Sequence, residues 1–251
     1  LGGIKSGLTS IGIVPYNTVA SYTYSVIPLF VLMGNFCAYS GMVSKLFVTA
    51  YKWLGRLPGG LGMATMGAAS GFSVVSGSSS ATVAVMGAVA LPEMRRYKYH
   101  PGLAAASIAA AGGLDIMIPP SIVLVLYGLL AEESIGKLFL AGFIPGILQA
   151  ILFIVAIYIV CKRNPVLGPR GESTRWIEKF ASLKDTWVVL ALFLLVIGGL
   201  YFGIFSPMEA AGIGAFGAFL FALVTKQLSR KNFIASLSAT GKVTAMLSIL
   251  V

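Results

Sequence analysis

The sequence predicts an all-α polytopic membrane protein, and three observations predict it. Hydrophobic residues fill 57% of the 251 positions while Asp, Glu, Lys and Arg together fill 10%, far from the balance of a water-soluble domain. The 18 Lys and Arg, set against 8 Asp and Glu, fall in short polar stretches between long apolar runs, the distribution of loops that obey the positive-inside rule. Two apolar runs are interrupted in mid-course, one by Ser76-Gly77-Ser78-Ser79-Ser80 and one by Pro119-Pro120. A net charge of +10 would suggest nucleic acid in a soluble chain; here it records topology. Mean hydropathy is +0.91. Cys37 and Cys161 lie far apart, each within or at the end of an apolar segment, so neither a disulfide framework nor a metal-ligand spacing is present.

A spanning helix needs about 20 apolar residues to cross roughly 30 Å, and the charge clusters divide the chain accordingly. The first span runs from about Tyr24 to Val43. It leads into Ser44–Pro58, where Lys45, Lys52 and Arg56 project from one helical face and Leu46, Phe47, Ala50, Tyr51 and Leu54 line the other. That pattern predicts an interfacial helix with Trp53 at the headgroups, on the cytoplasmic side. Arg95, Arg96 and Lys98 place the next loop on the same side. The uncharged stretch 57–92 is about 54 Å long as one helix, too long for one crossing, and it starts and ends on one side. Its polar centre leaves only about a dozen residues before Glu93, roughly half a bilayer. A re-entrant hairpin over Gly59–Leu91 fits, with the serine-rich centre as its tip.

Pro101 opens the next helix, which breaks across Gly112-Gly113-Leu114-Asp115-Ile116-Met117-Ile118-Pro119-Pro120-Ser121, since two prolines remove consecutive backbone donors. It resumes through Leu130 and emerges at Glu132-Glu133. Phe139–Val160 returns to Lys162-Arg163 and the longest loop, with Arg170, Arg175, Lys179 and Lys184; there Trp176, Ile177, Phe180 and Leu183 recur at helical spacing as a second interfacial helix. Trp187–Phe205 goes out, Pro207–Val224 comes back, and Lys226, Arg230 and Lys231 lie inside. All basic loops then share one side. The final apolar run, Val243–Val251, is too short to cross, so a longer polypeptide is expected.

Discontinuous membrane helices mark substrate and ion sites in secondary transporters, because half-helix ends and freed carbonyls coordinate ions at the midplane. Plainer readings exist for the same residues. The glycine and serines at 77–80 could let helices approach closely, and Pro119-Pro120 could be a kink. Asp115 is the sole carboxylate well inside an apolar segment and should face a cavity or partner, as a charge, a proton-bearing acid or a hydrogen-bonded structural group. Ser206-Pro207-Met208-Glu209 reads as a capping box, and His100 is assigned no chemistry. An aspartyl protease would need a second intramembrane carboxylate, zinc proteolysis a His-Glu-x-x-His, and a nucleotide-driven pump a phosphate-cradling loop. Nothing marks the chain as an enzyme. A channel, a binding-protein-independent anion transporter and a structural membrane subunit are the alternatives to a coupled permease.

Ile27-Pro28-Leu29-Phe30 with Met33-Gly34, Leu57-Pro58-Gly59-Gly60-Leu61, Ser76-Gly77-Ser78-Ser79, Leu91-Pro92-Glu93-Met94, Ile118-Pro119-Pro120-Ser121, Ser134-Ile135-Gly136-Lys137-Leu138-Phe139 and Ala141-Gly142-Phe143-Ile144-Pro145-Gly146 occur in the order seen in the large membrane subunit of tripartite ATP-independent periplasmic (TRAP) transporters. The chain resembles that family from Tyr24 onward. The resemblance implies an elevator-type fold with inverted repeats in the bacterial inner membrane. It divides the chain into a scaffold span and arm (1–58), a transport-domain part with hairpin and broken helix (59–136), and scaffold spans with the start of a second repeat (137–251). It implies sodium-coupled import of organic acids of the dicarboxylate or sialic-acid type, with a small membrane subunit and a periplasmic binding protein as partners and the lipid bilayer as solvent. No cofactor is implied beyond Na⁺ as coupling ion. Candidate sodium ligands are then Ser76, Gly77, Ser78, Ser79, Gly113, Asp115 and Pro119, through hydroxyl, carbonyl and carboxylate oxygens; candidate substrate contacts are Ser79, Ser80 and Ser121. Two positions depart from the family pattern. Thr82 stands where many members have an aspartate shortly after the tip, and Asp115 where a small residue is usual before the double proline.

Overall fold

The computed structural model describes Thr9, Ile13, Tyr16, Asn17 and residues 19–250, the side chain of Leu250 excepted. The remaining positions of the first expected unit, and Val251, lie outside the described residues. A short 3₁₀ turn, Tyr22–Ser25, leads into α1 (Val26–Tyr39). There follow α2 (Met42–Leu54), α3 (Gly60–Ser76), α4 (Ser79–Arg96), α5 (Pro101–Met117) and α6 (Ile122–Leu130). Then come α7 (Ile135–Arg163), α8 (Trp176–Leu183), α9 (Trp187–Tyr201), α10 (Pro207–Val224) and α11 (Arg230–Leu250). Every described element is helical. Two helices, α7 and α10, are long and apolar enough to cross a membrane alone; three bent pairs raise the number to five if each pair is one span.

Local chemistry sets the helix ends. α5 starts at His100, whose Nδ1 accepts from the Gly102 amide at 3.2 Å, with Pro101 in the first turn. The sequence offered no role for this histidine; it is an N-cap. Ser134 caps α7 by accepting from the Lys137 amide at 3.4 Å, which starts that helix a turn earlier than the apolar run alone predicts. The capping box at Ser206 is present: the Glu209 amide reaches the Ser206 hydroxyl at 3.3 Å, and the Glu209 carboxylate accepts from the Ser206 amide at 2.8 Å. α1 and α2 meet at 65°, with Gly41 between them in a left-handed conformation (φ 70°) that a side chain would strain. The segment expected as an arm is therefore a separate helix, turned away from the preceding span.

The hairpin has two helices of 17 and 18 residues, about 25 and 27 Å long, that break only at Gly77-Ser78. In the following element the glycine pair Gly112-Gly113 remains helical, and the break falls at Ile118–Ser121, where the prolines bring no N–H; α5 and α6 meet there at 41°. α7 has 29 residues, about 44 Å, and packs on α3, α5 and α6. Its far face, including Ile144, Leu148 and Leu152, is exposed, as a lipid-facing surface should be. α9 contains a π-helical turn over Leu194–Gly198 that keeps Val196 and Ile197 buried. α1 packs mainly with α10 and α11. α11 is a continuous helix of 21 residues, longer than the apolar tail seen in the sequence, because Lys242 and the scattered Ser and Thr residues interrupt the hydropathy but not the helix.

One loop joins three elements at the basic end. The Gly59 amide donates to the Gly168 carbonyl at 2.9 Å, His100 to Leu167 at 3.0 Å and Gly171 to Gly55 at 2.8 Å. The buried Tyr99 hydroxyl accepts from the Leu61 amide at 3.0 Å and donates to the Pro169 carbonyl at 3.1 Å. Burial pushes the Tyr99 phenol up to about 12, so it keeps its proton at physiological pH. Tyr99→Phe strands the Leu61 amide and is expected to cost about 1–3 kcal/mol, read as a lower thermal unfolding midpoint in detergent. Tyr22→Phe, at an exposed ring, should leave the midpoint unchanged.

Candidate functional site

The two broken elements meet through their backbones. Gly77, at the hairpin tip, has φ 63°, and its carbonyl accepts from the Ile122 amide at 3.2 Å. A Cβ on Gly77 would stand 2.8 Å from the Pro120 carbonyl oxygen, and one on Gly34 of α1 would stand 2.6 Å from the Ser76 oxygen. The other side of the break rests on α7, where Gly142 admits the Met117 carbonyl and Gly146 the Ile118 amide. The Pro119–Pro120 peptide is cis. Both interruptions are thus held by close backbone contact, which only small residues allow.

Asp115 lies beneath this junction, 1% exposed. The side chains of Ser73 on α3 and Thr82 on α4 lie against its carboxylate. Both hydroxyls are committed elsewhere: Ser73 donates to the Ala69 carbonyl at 2.8 Å and Thr82 to the Ser76 hydroxyl at 3.3 Å. Both Asp115 carboxylate oxygens are therefore buried without a hydrogen-bond partner. Among the described residues, the only ion pair within 4 Å is Arg96–Glu93 at the basic end, so no Lys or Arg compensates Asp115. A buried, uncompensated carboxylate among hydroxyl oxygens is a ready place for a hard cation, which takes oxygen ligands.

The other expected residues divide between the junction and two grooves beside it. The Ser76 hydroxyl is buried and closes the tip, accepting from the Ser78 amide at 3.3 Å and reaching the Ser78 carbonyl at 3.4 Å. One cavity of about 520 Å³ opens between α1, α4 and α11, past Ser76, Ser78, Ser80 and Asn35. A second, of about 550 Å³, lies between α4 and α5, past Ser79, Ser80, Gly112 and Gly113. Ser80 borders both. Pro119 is buried in the break. Ser121 is buried and caps α6, accepting from the Leu124 amide at 3.4 Å; it borders neither groove.

Three participants were missed by sequence reasoning. Ser73 sits one turn before Ser76 on the same face, a spacing that would have found it. Asn35 is the one amide in α1, and its Nδ2 donates to the Thr240 hydroxyl at 2.9 Å. Gln149 is the one amide in α7; its buried Oε1 has no partner, and its Nε2 lies 3.7 Å from where a Cβ on Gly113 would stand.

The family model of the tripartite ATP-independent periplasmic transporter, DctM component, matches residues 9–251. The chain belongs to this family. Membership places it among the multi-pass permease components of the bacterial inner membrane and not among enzymes. It is 37% identical over 245 residues to the C4-dicarboxylate TRAP transporter large permease protein DctM of Pseudomonas aeruginosa, covering 96% of this chain and 56% of that protein. It is 35% identical to the sialic acid TRAP transporter large permease protein SiaM of Vibrio cholerae, covering 93% and 54%. The ectoine/5-hydroxyectoine TRAP transporter large permease protein UehC of Ruegeria pomeroyi is 32% identical, with 90% and 52% covered. The chain spans about half the length of the curated relatives it matches. The two departures noted in the sequence, Thr82 and Asp115, are neighbours, with the Thr82 side chain against the Asp115 carboxylate.

The junction makes its own prediction. Gly77→Ala places an L side chain in the left-handed region, at about 1–2 kcal/mol, and drives its Cβ into the Pro120 carbonyl. The full-length permease carrying it should unfold at a lower temperature, whereas Ser80→Ala, on the exposed first turn of α4, should fall within about 0.5 kcal/mol of the parent.

Proposed function

We propose that this chain is the ion- and substrate-contacting part of a sodium-coupled permease subunit that imports an organic acid handed over by a periplasmic binding protein, with a small membrane subunit completing the complex. The observation that carries the reading is Asp115: a buried carboxylate on the broken helix, with both oxygens unpaired and the Ser73 and Thr82 side chains of the hairpin against it. A charge at such depth costs about 2.5–3.5 kcal/mol on insertion scales, and a bound Na⁺ offsets that cost. The ion then stabilises the closed junction, because its ligands come from α3, α4 and α5 together. This is how binding at one site favours one conformation.

The grooves on either side of Ser80 supply the substrate surface. Ser78, Ser79 and Ser80 present hydroxyls and the first turn of α4, whose free amides suit a carboxylate. C4-dicarboxylates are the first class to test, since three of the similar permeases carry that name; sialic acid and ectoine, named for others, follow. We further place α7 with the moving body. The sequence set it in the scaffold from residue 137, but it packs on α3, α5 and α6, while α10 and α11 each pack on α1. The arm α2 lies between the two groups.

Uptake of labelled C4-dicarboxylate by the full-length complex in vesicles, with and without a sodium gradient, tests the reading. Asp115→Asn should raise the sodium concentration for half-maximal uptake by about tenfold, or ~1.4 kcal/mol. Because the Thr82 side chain lies against Asp115, Asp115→Asn with Thr82→Asp should recover most of that loss by returning the charge from the neighbouring position. Uptake that is indifferent to sodium in the parent, or sodium dependence unmoved by Asp115→Asn, would overturn the proposal.

A further inference from the structure

The arm and the second loop helix form a surface unlike the rest of the molecule. α8 buries Ser182, whose carbonyl accepts from the Thr49 hydroxyl of α2 at 3.1 Å. Its other face is uncovered: Trp176 is 67% exposed, Ile177 82% and Phe180 58%. Trp53 of α2 extends this stripe, edge-on to Trp176 at 6.4 Å and to Phe180 at 5.7 Å. Rings and aliphatics in such a contiguous patch mark a contact with something other than water.

The same surface is basic. The Lys179 ammonium lies over the Trp176 ring at 4.7 Å and over the Trp53 ring at 5.9 Å, which holds the cation at the level of the indoles. Arg175 stands four residues before Lys179 and so shares its side of the helix. α2 and the turn after it carry Lys45, Lys52 and Arg56 with no acid among them, whereas Glu172, Glu178 and Asp185 are the acids of the α8 region. None of these basic groups forms an ion pair among the described residues. An aromatic stripe with unpaired cations at its edge is suited to the boundary between acyl chains and headgroups, where indoles settle and basic residues meet the negative cytoplasmic leaflet.

We infer that α2 and α8 together form a docking surface for anionic phospholipid, with Trp176, Ile177 and Phe180 entering the acyl boundary and Lys179 and Arg175 taking the headgroup phosphate. The inference rests on the inner-membrane location that family membership gives and is independent of the sodium site, so the two can fail separately. Its consequence is that the seating of the arm against the hairpin depends on the charge of the surrounding lipid.

Quenching of Trp176 by brominated lipids reads this directly, using the full-length permease complex in phosphatidylcholine vesicles that contain either brominated phosphatidylcholine or brominated phosphatidylglycerol. The Trp176 signal is the difference between the parent and Trp176→Phe. The anionic lipid should quench it at about fivefold lower mole fraction than the zwitterionic one, the enrichment one surface cation brings. Lys179→Glu should abolish that difference and Lys179→Arg should keep it. If Lys179→Glu does not assemble, the neutral pair Arg175→Gln/Lys179→Gln carries the same reading. Equal quenching by both lipids in the parent would overturn the inference, and so would absence of quenching, which would mean that protein covers the face.

Discussion

The hydrogen bond from the Ile122 amide to the Gly77 carbonyl, 3.2 Å long, is the contact on which the rest of the site depends. Each of the two interruptions frees backbone groups that helix geometry would have satisfied, and within a membrane such groups must find partners in the protein itself. The tip of the hairpin and the start of α6 satisfy one another. That pairing requires main chain to approach main chain, so the surrounding positions are Gly34, Gly77, Gly142 and Gly146, where a Cβ would meet backbone atoms at 2.6–3.1 Å or less than a normal contact. With the backbones interlocked, the helices hold the Asp115 carboxylate between the Ser73 and Thr82 side chains.

A second set of polar links fixes the elements beside the junction. Asn35 of α1 bonds Thr240 of α11 at 2.9 Å, and the hydroxyls of Tyr24, in the turn before α1, and Ser248 of α11 lie 2.9 Å apart. Phe36 stacks on Phe233 and tilts against Phe219, which adds α10 to the same cluster. Interhelical hydrogen bonds in lipid contribute modestly, about 0.6 kcal/mol each on average, so packing of these rings supplies most of the cohesion. The result is a three-helix group that meets the hairpin through α1, where Gly34 lies against the Ser76 backbone.

Much of this architecture was legible in the sequence, and the exceptions have physical causes. The interruption at Gly77-Ser78, the break at Pro119-Pro120, the two amphipathic helices and the capping box each follow from charge spacing or from a residue with one dominant backbone effect. Hydropathy could not show α11 as a 21-residue helix, since Lys242, Ser236 and Thr240 lower the average without weakening helical bonding. Gly112-Gly113 reads as a breaker, yet both residues remain helical. Gly112 serves close approach instead, with Val83 and the Ser79 carbonyl within 3.2 Å of where its Cβ would be. At the site itself, Asp115 stood out as a lone carboxylate. Its neighbour Ser73 did not, and Thr82 did so only through the family pattern, because pairing across three helices depends on the relative rotation of α3, α4 and α5, which no one-dimensional pattern records. The π turn in α9 was likewise invisible: Leu194–Gly198 has ordinary helix-forming composition, and its Val196 lies against Gly214 of α10.

The loop that joins the basic ends of three elements has a different kind of consequence. Its grip is made of main-chain atoms: Gly168, Leu167 and Pro169 contribute carbonyls, and Gly171 and Glu172 contribute amides, the last to the Tyr51 hydroxyl at 3.2 Å. Side chains along it, such as Val166 and Arg170, point outward. Its residues are therefore free to drift in identity as long as its length and path persist, with two exceptions. A Cβ at Gly168 would strike the Cys161 sulfur at 2.7 Å, and one at Gly171 the Tyr51 hydroxyl at 2.5 Å. A saturation scan of this loop would accordingly show tolerance nearly everywhere, punctuated by those two glycines and by any insertion or deletion.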